Sequence, residues 1–418
     1  MFISRKEAKE KISAWIMQNE PVKTGATLSI RKGKKFNVYE IPIDYIIPNI
    51  LNDRLAWRIR EFEAEKGSKL SNDKEEDIQY IYDLIWNENI SENEKTMKDI
   101  TVKGQEEFGI ITNEGIVIDG NRRATLIRKL YKEAFAKFNK TPDDFRTFQA
   151  VVIEEDLTPQ EIMSLETTIQ IGKDEKVTYN RICLYIKIDN LLKNDYNYDQ
   201  IATFMGNQKA MQARDIEKMH ETYEFMVQYL NVIGKPDHFT LLDGLEDQFI
   251  NTKTIIEKLK SKTYEANWDY QEEDIQNFEG VCFDYLQSKF EGKAYRDDFL
   301  GKVQANKTDG IFIDKDVWEN FYEHHTKIID NAEKENRLEN EADWSLLKTK
   351  FKDNLNGAKR NLEEVIADKN VIDLINIIEI KIDKLEKIAT EKDSLLGDNL
   401  DKIQSLEKRL YTIRRSFK

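Results

Sequence analysis

The sequence predicts an α+β amino-terminal domain, a small mixed sheet with helices, followed by a mostly α-helical carboxy-terminal half. Alternating or consecutive β-branched residues predict strands at residues 36–43, 116–118 and 148–153. After residue 157 this alternation almost disappears, and apolar residues recur at helical spacing. Proline interrupts helices, and in this half it occurs only at Pro159 and Pro236. Thr158 is predicted to cap the first of these helices, with Pro159 at its first position.

The composition indicates a globular protein with a large charged surface. Of the 418 residues, 40% are hydrophobic and 34% are charged. The length is enough for two to four domains. Cys183 and Cys282 are the two cysteines, so neither a disulfide framework nor a zinc cluster is expected. The sequence lacks a bilayer-spanning apolar run and a signal-peptide core, so we expect a cytoplasmic protein with no membrane partner. The net charge of −14 argues against general coating of nucleic acid but allows a local basic surface.

Residues 116–130 form the most informative stretch of the chain. A β-branched strand leads into an Asp-Gly-Asn turn, in which Gly120 and Asn121 tolerate a positive φ. A helix follows, because apolar residues recur at helical spacing from Ala124 onward. Arg122 and Arg123 stand at its start, where free backbone amides and guanidinium groups suit an anion such as phosphate. The alternative is an ordinary strand-to-helix connection with solvated arginines.

The surroundings of this stretch resemble the amino-terminal domain of the ParB family, which shares its fold with sulfiredoxin. Residues 41–54 are similar to the family's opening strand and the asparagine- and arginine-bearing turn after it. Residues 104–115 are similar to a segment in which a helix end leads into a hairpin, and residues 120–124 match the family's Gly-x-Arg-Arg box. The resemblance covers about residues 39–153 and implies the same fold there.

The resemblance implies a nucleoside triphosphate, CTP or ATP, bound with Mg²⁺ as a switch for dimerisation or clamp closure. The residues that it assigns to this ligand are Arg54, Gly120, Asn121, Arg122, Arg123 and, from the helix after the sheet, Glu166. If the domain also catalyses a reaction, Asp119 or Glu166 would be the metal ligand or the base.

The family's later Glu-Asn-x-x-Arg box is only partly present. Glu166 matches it, but Thr167 replaces the asparagine and Gln170 stands where the arginine is expected. Lys173 offers a charge without the planar fork of arginine. These departures count against CTP specificity and hydrolysis and leave phosphate or nucleotide binding as the expectation.

A helix-turn-helix is predicted after the sheet domain, in the order that the ParB family also has. Residues 198–206 resemble its first helix and turn, with Ala202 as the small residue at the helix crossing and Gly206 in the turn. Residues 207–219 would be the second helix, which reads DNA in such motifs. The candidate DNA contacts are Gln208, Lys209, Gln212 and Arg214. A plain three-helix bundle is the alternative.

Four further patterns each allow two interpretations. The acidic residues 154–156 would bind a metal ion or form a solvated turn. Aromatic residues at 268–299 favour core packing over a base-stacking surface. The adjacent His324 and His325 are predicted to lie at the surface rather than to bind a metal. Heptad-spaced apolar residues in 365–418 predict either a helical hairpin or a coiled coil with a second chain.

Together these patterns predict a ParB-like, DNA-binding homodimer whose amino-terminal domain binds nucleotide. The predicted domains are a helix with a basic loop (1–35), the ParB/sulfiredoxin-like domain (36–156), a helical domain with the helix-turn-helix (157–232), a second helical domain (233–364) and the terminal hairpin or coiled coil (365–418). One alternative is a phosphoryl-transfer enzyme or metal-dependent nuclease on the same fold. Another is a non-catalytic DNA-binding module of a mobile-element or phage-defence system.

Overall fold

The computed structural model describes residues 3–28, 34–138, 141–173, 181–205, 211–301, 310–391 and 400–416. The chain divides into two compact units. We call Met1–Lys253 the amino-terminal unit and Thr254–Lys418 the carboxy-terminal unit. Among the described residues, no helix combines the length and the apolar character needed to cross a bilayer.

A five-stranded mixed sheet organises the amino-terminal unit, as predicted. Its strand order is β1-β2-β5-β3-β4. Strand β3 pairs in parallel with β5, and the other neighbours pair antiparallel. The strands are β1 (Lys23–Thr27), β2 (Lys35–Pro42), β3 (Gly109–Thr112), β4 (Val117–Asp119) and β5 (Thr147–Ile153). Strand β1 was not predicted, because four of its five residues are exposed and it lacks apolar alternation.

Ten helices and four 3₁₀ turns are described up to the boundary of the two units, which falls within the last of these helices. They are α1 (Arg5–Gln18), α2 (Ala56–Lys66), α3 (Glu75–Glu88), α4 (Ile90–Lys103), α5 (Asn121–Phe138), α6 (Pro159–Lys173), α7 (Arg181–Leu192), α8 (Tyr198–Met205), α9 (Ala213–Val232) and α10 (Glu246–Lys260). The 3₁₀ turns are Ile43–Tyr45, Asp53–Leu55, Pro142–Phe145 and Phe239–Leu242.

The two faces of the sheet bury separate apolar clusters, because successive side chains of a strand point to opposite faces. In β5, Ala150 and Val152 join the cluster that also holds residues of α1, α3, α4 and α5. Val151 and Ile153 join the other cluster, which includes Ile162 of α6. The sheet is therefore covered on both faces, and helices α5 and α6 belong to opposite layers.

Helices α6 to α9 pack around one apolar cluster, which contains the predicted helix-turn-helix. Ala202 is buried in this cluster together with Ile216 of α9. The predicted limits of the second helix are wrong: α9 begins at Ala213 and continues to Val232. Gln212 precedes it as the capping residue, and its backbone N–H donates to Asp215 Oδ2 at 3.0 Å. The turn at residues 206–210 lies outside the described residues.

The carboxy-terminal unit is helical and has an aromatic core. Its helices are α11 (Glu272–Gln287), α12 (Lys315–Lys334), α13 (Glu341–Leu346), α14 (Lys348–Glu391) and α15 (Leu400–Ser416), with short helical turns at Gly292–Ala294, Tyr295–Phe299 and Ile311–Ile313. Tyr285 and Phe299 are buried and stack with their ring centroids 4.8 Å apart. The preference for core packing over a base-stacking surface is thus confirmed for these rings.

The prediction that both adjacent histidines lie at the surface is wrong for His325. His324 is exposed, but His325 is buried among aromatic rings, and its Nε2 lies 2.8 Å from Asp284 Oδ2. Consecutive residues of a helix point about 100° apart, so one of two neighbours can face the core. The carboxylate provides the polar partner that a buried imidazole needs.

The heptad-spaced residues of α14 and α15 remain exposed where the structure describes them. Val371, Leu374 and Ile378 expose 42%, 60% and 39% of their surface, and Leu406 exposes 50%. Several further heptad positions, including Phe417, lie outside the described side chains. The described parts of the two helices therefore do not distinguish a helical hairpin from a coiled coil, and both stay predictions.

Candidate functional site

The strand–turn–helix at residues 117–138 is formed as the sequence predicts. Strand β4 ends at Asp119, Gly120 adopts φ +96°, and α5 begins at Asn121. A Cβ atom on Gly120 would lie 3.2 Å from the Phe148 ring, in addition to the strained φ. Glycine is therefore the residue that this turn requires. The start of α5 offers backbone amide groups and a partial positive charge, which favour an anion.

A buried polar network joins three segments at the start of α5. The backbone N–H of Asn49 donates to Asn121 Oδ1 at 2.9 Å. The Asn49 side-chain amide donates to Glu166 Oε2 at 2.8 Å. Asn49, Asn121 and Glu166 are 1%, 7% and 0% exposed. The structure thus brings the turn after β2, the Gly-x-Arg-Arg helix and α6 together, and Glu166 holds Asn49 from inside the protein.

The two arginines of the box point to different neighbours. Arg122 Nε donates to Asn93 Oδ1 at 2.7 Å, and Arg122 Nη2 donates to Thr96 Oγ1 at 3.3 Å. Because Asn93 is buried in α4, these bonds fix the Arg122 guanidinium. Arg123 forms an ion pair with Glu107 at 3.2 Å, and the Glu107 side chain is 73% exposed. Arg122 is therefore held by the interior, whereas Arg123 has a partner in contact with solvent.

Three guanidinium groups share one electrostatic neighbourhood. Desolvation raises the pKa of Glu88, and the charges of Arg54, Arg122 and Arg58 all act to lower it. Glu88 ends α3 at the surface, and Arg54 and Arg58 flank the start of α2. Arg122 also acts on Glu92, so these arginines belong to a mixed group of charges on a chain whose net charge is −14. Arg58 and Glu88 were not predicted, since no motif links them to the box.

The two predicted catalytic carboxylates do not form a ready metal centre by themselves. Asp119 is half-buried at the end of β4, opposite Ile110 of β3, and Glu166 is fully buried. Among the described residues, the group of three potential ligands that lie close enough to share one ion is Glu61, Glu65 and His238. Mg²⁺ usually takes one or two carboxylates and completes its shell with phosphate oxygens and water. Asp119 is compatible with that role beside a bound polyphosphate.

The acidic residues after β5 are neutralised by nearby side chains. Lys34 Nζ lies 2.7 Å from Glu155 Oε1. Hydrogen bonds from Lys9 and Asn113 lower the pKa of Asp156. These pairings favour the solvated turn over the metal site as the interpretation of residues 154–156.

Two of the four predicted DNA contacts lie at the exposed start of α9. Gln212 caps the helix, and Arg214 stands in its first turn. Gln208 and Lys209 lie outside the described residues. The described pair is thus placed where side chains could reach a bound duplex.

No protein-family model matches the chain, and no curated protein shows significant similarity to it. The resemblance to the ParB family therefore stays a prediction, carried by the residues quoted above and by the geometry at the start of α5.

Proposed function

We propose that the amino-terminal unit binds a nucleoside triphosphate, CTP or ATP with Mg²⁺, at the start of α5, in a cytoplasmic DNA-binding protein. The observation that carries the proposal is the geometry at the start of α5. Asn49 binds both Asn121 and Glu166 there, and Asn93 fixes the Arg122 guanidinium. Guanidinium groups beside a helix start suit phosphate groups, and the charges of Arg54 and Arg58 act on Glu88 together with that of Arg122. Because the net charge of the chain is −14, positive charge at this site is a local feature and not a general property of the surface.

The neighbouring residues would bind and orient the ligand in different ways. The buried network of Asn49, Asn121 and Glu166 keeps the start of α5 rigid. Arg122, fixed by Asn93, presents a preorganised guanidinium. Asp119 would supply a carboxylate to Mg²⁺, which when bound neutralises part of the phosphate charge. Because Glu166 is fully buried and bound to Asn49, it would position Asn49 and would not take part in a catalytic step.

Exchange of the Arg123 partner would make the site a switch. A solvent-exposed ion pair such as Arg123–Glu107 is worth roughly 0–1 kcal/mol. A hydrogen bond from arginine to a charged phosphate is worth about 1.5–3 kcal/mol. Arg123 Nη1 also donates to the backbone oxygens of Glu107 and Phe108, so the segment before β3 is released only if phosphate replaces these bonds as well as the Glu107 carboxylate. A ligand that binds the released arrangement more tightly shifts the population toward it.

Calorimetric titration with CTP, ATP and GTP, each with Mg²⁺, tests this site. We expect one of the nucleotides to bind, and Arg54→Ala and Arg58→Ala each to weaken binding at least tenfold, about 1.4 kcal/mol. Arg181→Ala is the matched control, because Arg181 pairs with Asp247 in an exposed ion pair. Circular dichroism would verify that each variant is folded. Absence of binding by all three nucleotides, or equal affinity in all variants, would refute the proposed site.

The start of α9 and the exposed apolar residues of α14 support DNA binding by a homodimer. Sedimentation of a labelled duplex with the full-length chain measures both the affinity and the number of chains bound. We expect two chains per duplex, and we expect Arg214→Ala to reduce the slope of log affinity against log salt by about 1. Arg337→Ala, which removes an exposed arginine of the carboxy-terminal unit, is the control. A duplex that does not sediment with the protein at low salt would contradict this part of the proposal.

A further inference from the structure

A second group of polar side chains lies apart from the start of α5. Glu61 and Glu65 are one helical turn apart on α2, and His238 lies before the 3₁₀ turn Phe239–Leu242. One ligand atom from each of the three residues lies within 4.8 Å of the others. Ligands of a tetrahedral ion, each about 2.1 Å from it, are roughly 3.4 Å apart. Side-chain rotations that bring these atoms closer together would therefore place all three on one ion.

A backbone carbonyl orients the imidazole of His238. Its Nδ1 lies 2.8 Å from the backbone oxygen of Pro236. A carbonyl oxygen can only accept a hydrogen bond, so Nδ1 is the donor in this contact and Nε2 is the ring nitrogen left for a metal ion. A backbone carbonyl on the remote ring nitrogen is the usual outer-shell partner of metal-binding histidines. This contact comes from outside the three side chains, and it distinguishes the group from an acidic surface cluster.

The carboxylates are oriented in a similar way. The Thr240 hydroxyl donates to Glu61 Oε2 at 2.6 Å, which holds one carboxylate in place. Burial raises the pKa of the Tyr80 hydroxyl, and the negative charges of Glu61 and Glu65 raise it further. Both carboxylates thus act on the same neighbour, where the charge of Arg58 acts with the opposite sign.

We infer that Glu61, Glu65 and His238 form a binding site for a divalent transition-metal ion, with Zn²⁺ as the best match. One imidazole nitrogen and two carboxylate oxygens suit Zn²⁺, whereas Mg²⁺ and Ca²⁺ prefer oxygen ligands throughout. Three protein ligands leave a fourth position for water or another ligand.

The bound ion would join α2 to the segment that follows α9. Arg60, also on α2, already contacts this segment through Asp237 at 3.9 Å. Arg54 and Arg58 stand at the start of the same helix. A metal ion would therefore fix the helix that carries Arg58 and that begins directly after the turn with Arg54. The inference does not depend on nucleotide binding, since the ligands are different residues.

The test is calorimetric titration of chelator-treated, tag-free full-length protein with Zn²⁺ alone. We expect one Zn²⁺ per chain and a loss of affinity of at least tenfold in His238→Ala and in Glu65→Gln. His324→Ala is the matched control, because His324 is an exposed histidine on α12 and the sequence has only four histidines. Cys183 and Cys282 are buried and offer no exposed thiol to compete.

Glu65→Gln keeps the side-chain shape at an exposed position, so it separates loss of a ligand from loss of folding. Binding that weakens in Glu65→Gln and His238→Ala but not in His324→Ala supports the site. Wild-type protein that takes up no stoichiometric Zn²⁺ overturns the inference, and so does Zn²⁺ binding that is unchanged in both ligand variants. Binding of millimolar Mg²⁺ with equal affinity would overturn the choice of a transition metal.

Discussion

Replacing Arg60 with alanine is expected to lower the free energy of unfolding by about 3 to 5 kcal/mol, the usual cost of removing one partner of a buried ion pair. Arg60 Nη2 lies 2.9 Å from Asp189 Oδ2, and the Asp189 side chain is 6% exposed. The same nitrogen donates to Asn190 Oδ1 at 2.7 Å, and the guanidinium lies over the Tyr223 ring. Without Arg60, the carboxylate of Asp189 stays in a desolvated place with weaker compensation. Urea unfolding measures the change.

The stability lost in Arg60→Ala should depend on pH, in the direction that the pKa of Asp189 sets. Burial alone would raise the pKa of Asp189, but hydrogen bonds from Lys193 and Arg60 outweigh it and the pKa is lowered from 3.8. A carboxyl group with a lowered pKa stabilises the fold above its unfolded pKa, and this contribution is lost as the pH falls through the folded value. The stability difference between wild type and Arg60→Ala should therefore be largest near neutral pH and shrink on acidification.

Two further variants make this prediction specific. Arg181→Ala removes an arginine from an exposed pair with Asp247 and should cost about 1 kcal/mol or less. Arg60→Met combined with Asp189→Asn removes both charges and should be more stable than Arg60→Ala, because no desolvated charge remains. A double variant that is no more stable than Arg60→Ala would show that the charge of Asp189 is not the cause.

Features that depend on neighbouring residues could be predicted from the sequence. The strand–turn–helix around Gly120 formed as expected, because the β-branched run, the glycine and the helical spacing are all local signals. The cap of α6 also formed as predicted. Thr158 Oγ1 accepts from the N–H of Glu161 at 3.2 Å, and the Glu161 carboxylate accepts from the N–H of Thr158 at 2.8 Å. Both partners are three residues apart, within the range that a pattern can show.

The polar partners of the candidate site could not be predicted in the same way. Asn49 reaches Asn121 across 72 positions and Glu166 across 117. Arg122 is fixed by Asn93, which is 29 positions away on α4. The histidine His238 lies 173 positions beyond Glu65 and had no motif at all. Such contacts are fixed by packing of whole elements, so a linear spacing carries no signal for them.

Replacing Gly115 with alanine is expected to cost roughly 3 kcal/mol or more, from a strained backbone and a steric collision. Gly115 has φ +83°, and a Cβ atom there would collide with the carbonyl oxygen of Tyr45. The close approach has a structural purpose. The N–H of Ile47 donates to the Gly115 carbonyl at 2.8 Å, and the N–H of Val117 donates to the Ile47 carbonyl at 3.0 Å. These bonds hold the segment that delivers Asn49 to Asn121.

Gly67→Ala is the matched control for this variant. Gly67 ends α2 at φ +68°, and among the described residues no atom lies within 4 Å of a Cβ built there. It should cost about 1 to 2 kcal/mol, from the backbone conformation alone. Thermal or urea unfolding of both variants isolates the collision, because the φ values are similar and the surroundings differ. If the two substitutions cost the same, the contact between Gly115 and Tyr45 does not hold the Asn49 segment in place. If Gly115→Ala is the more costly and also weakens nucleotide binding, the segment is needed both for the fold and for the proposed site.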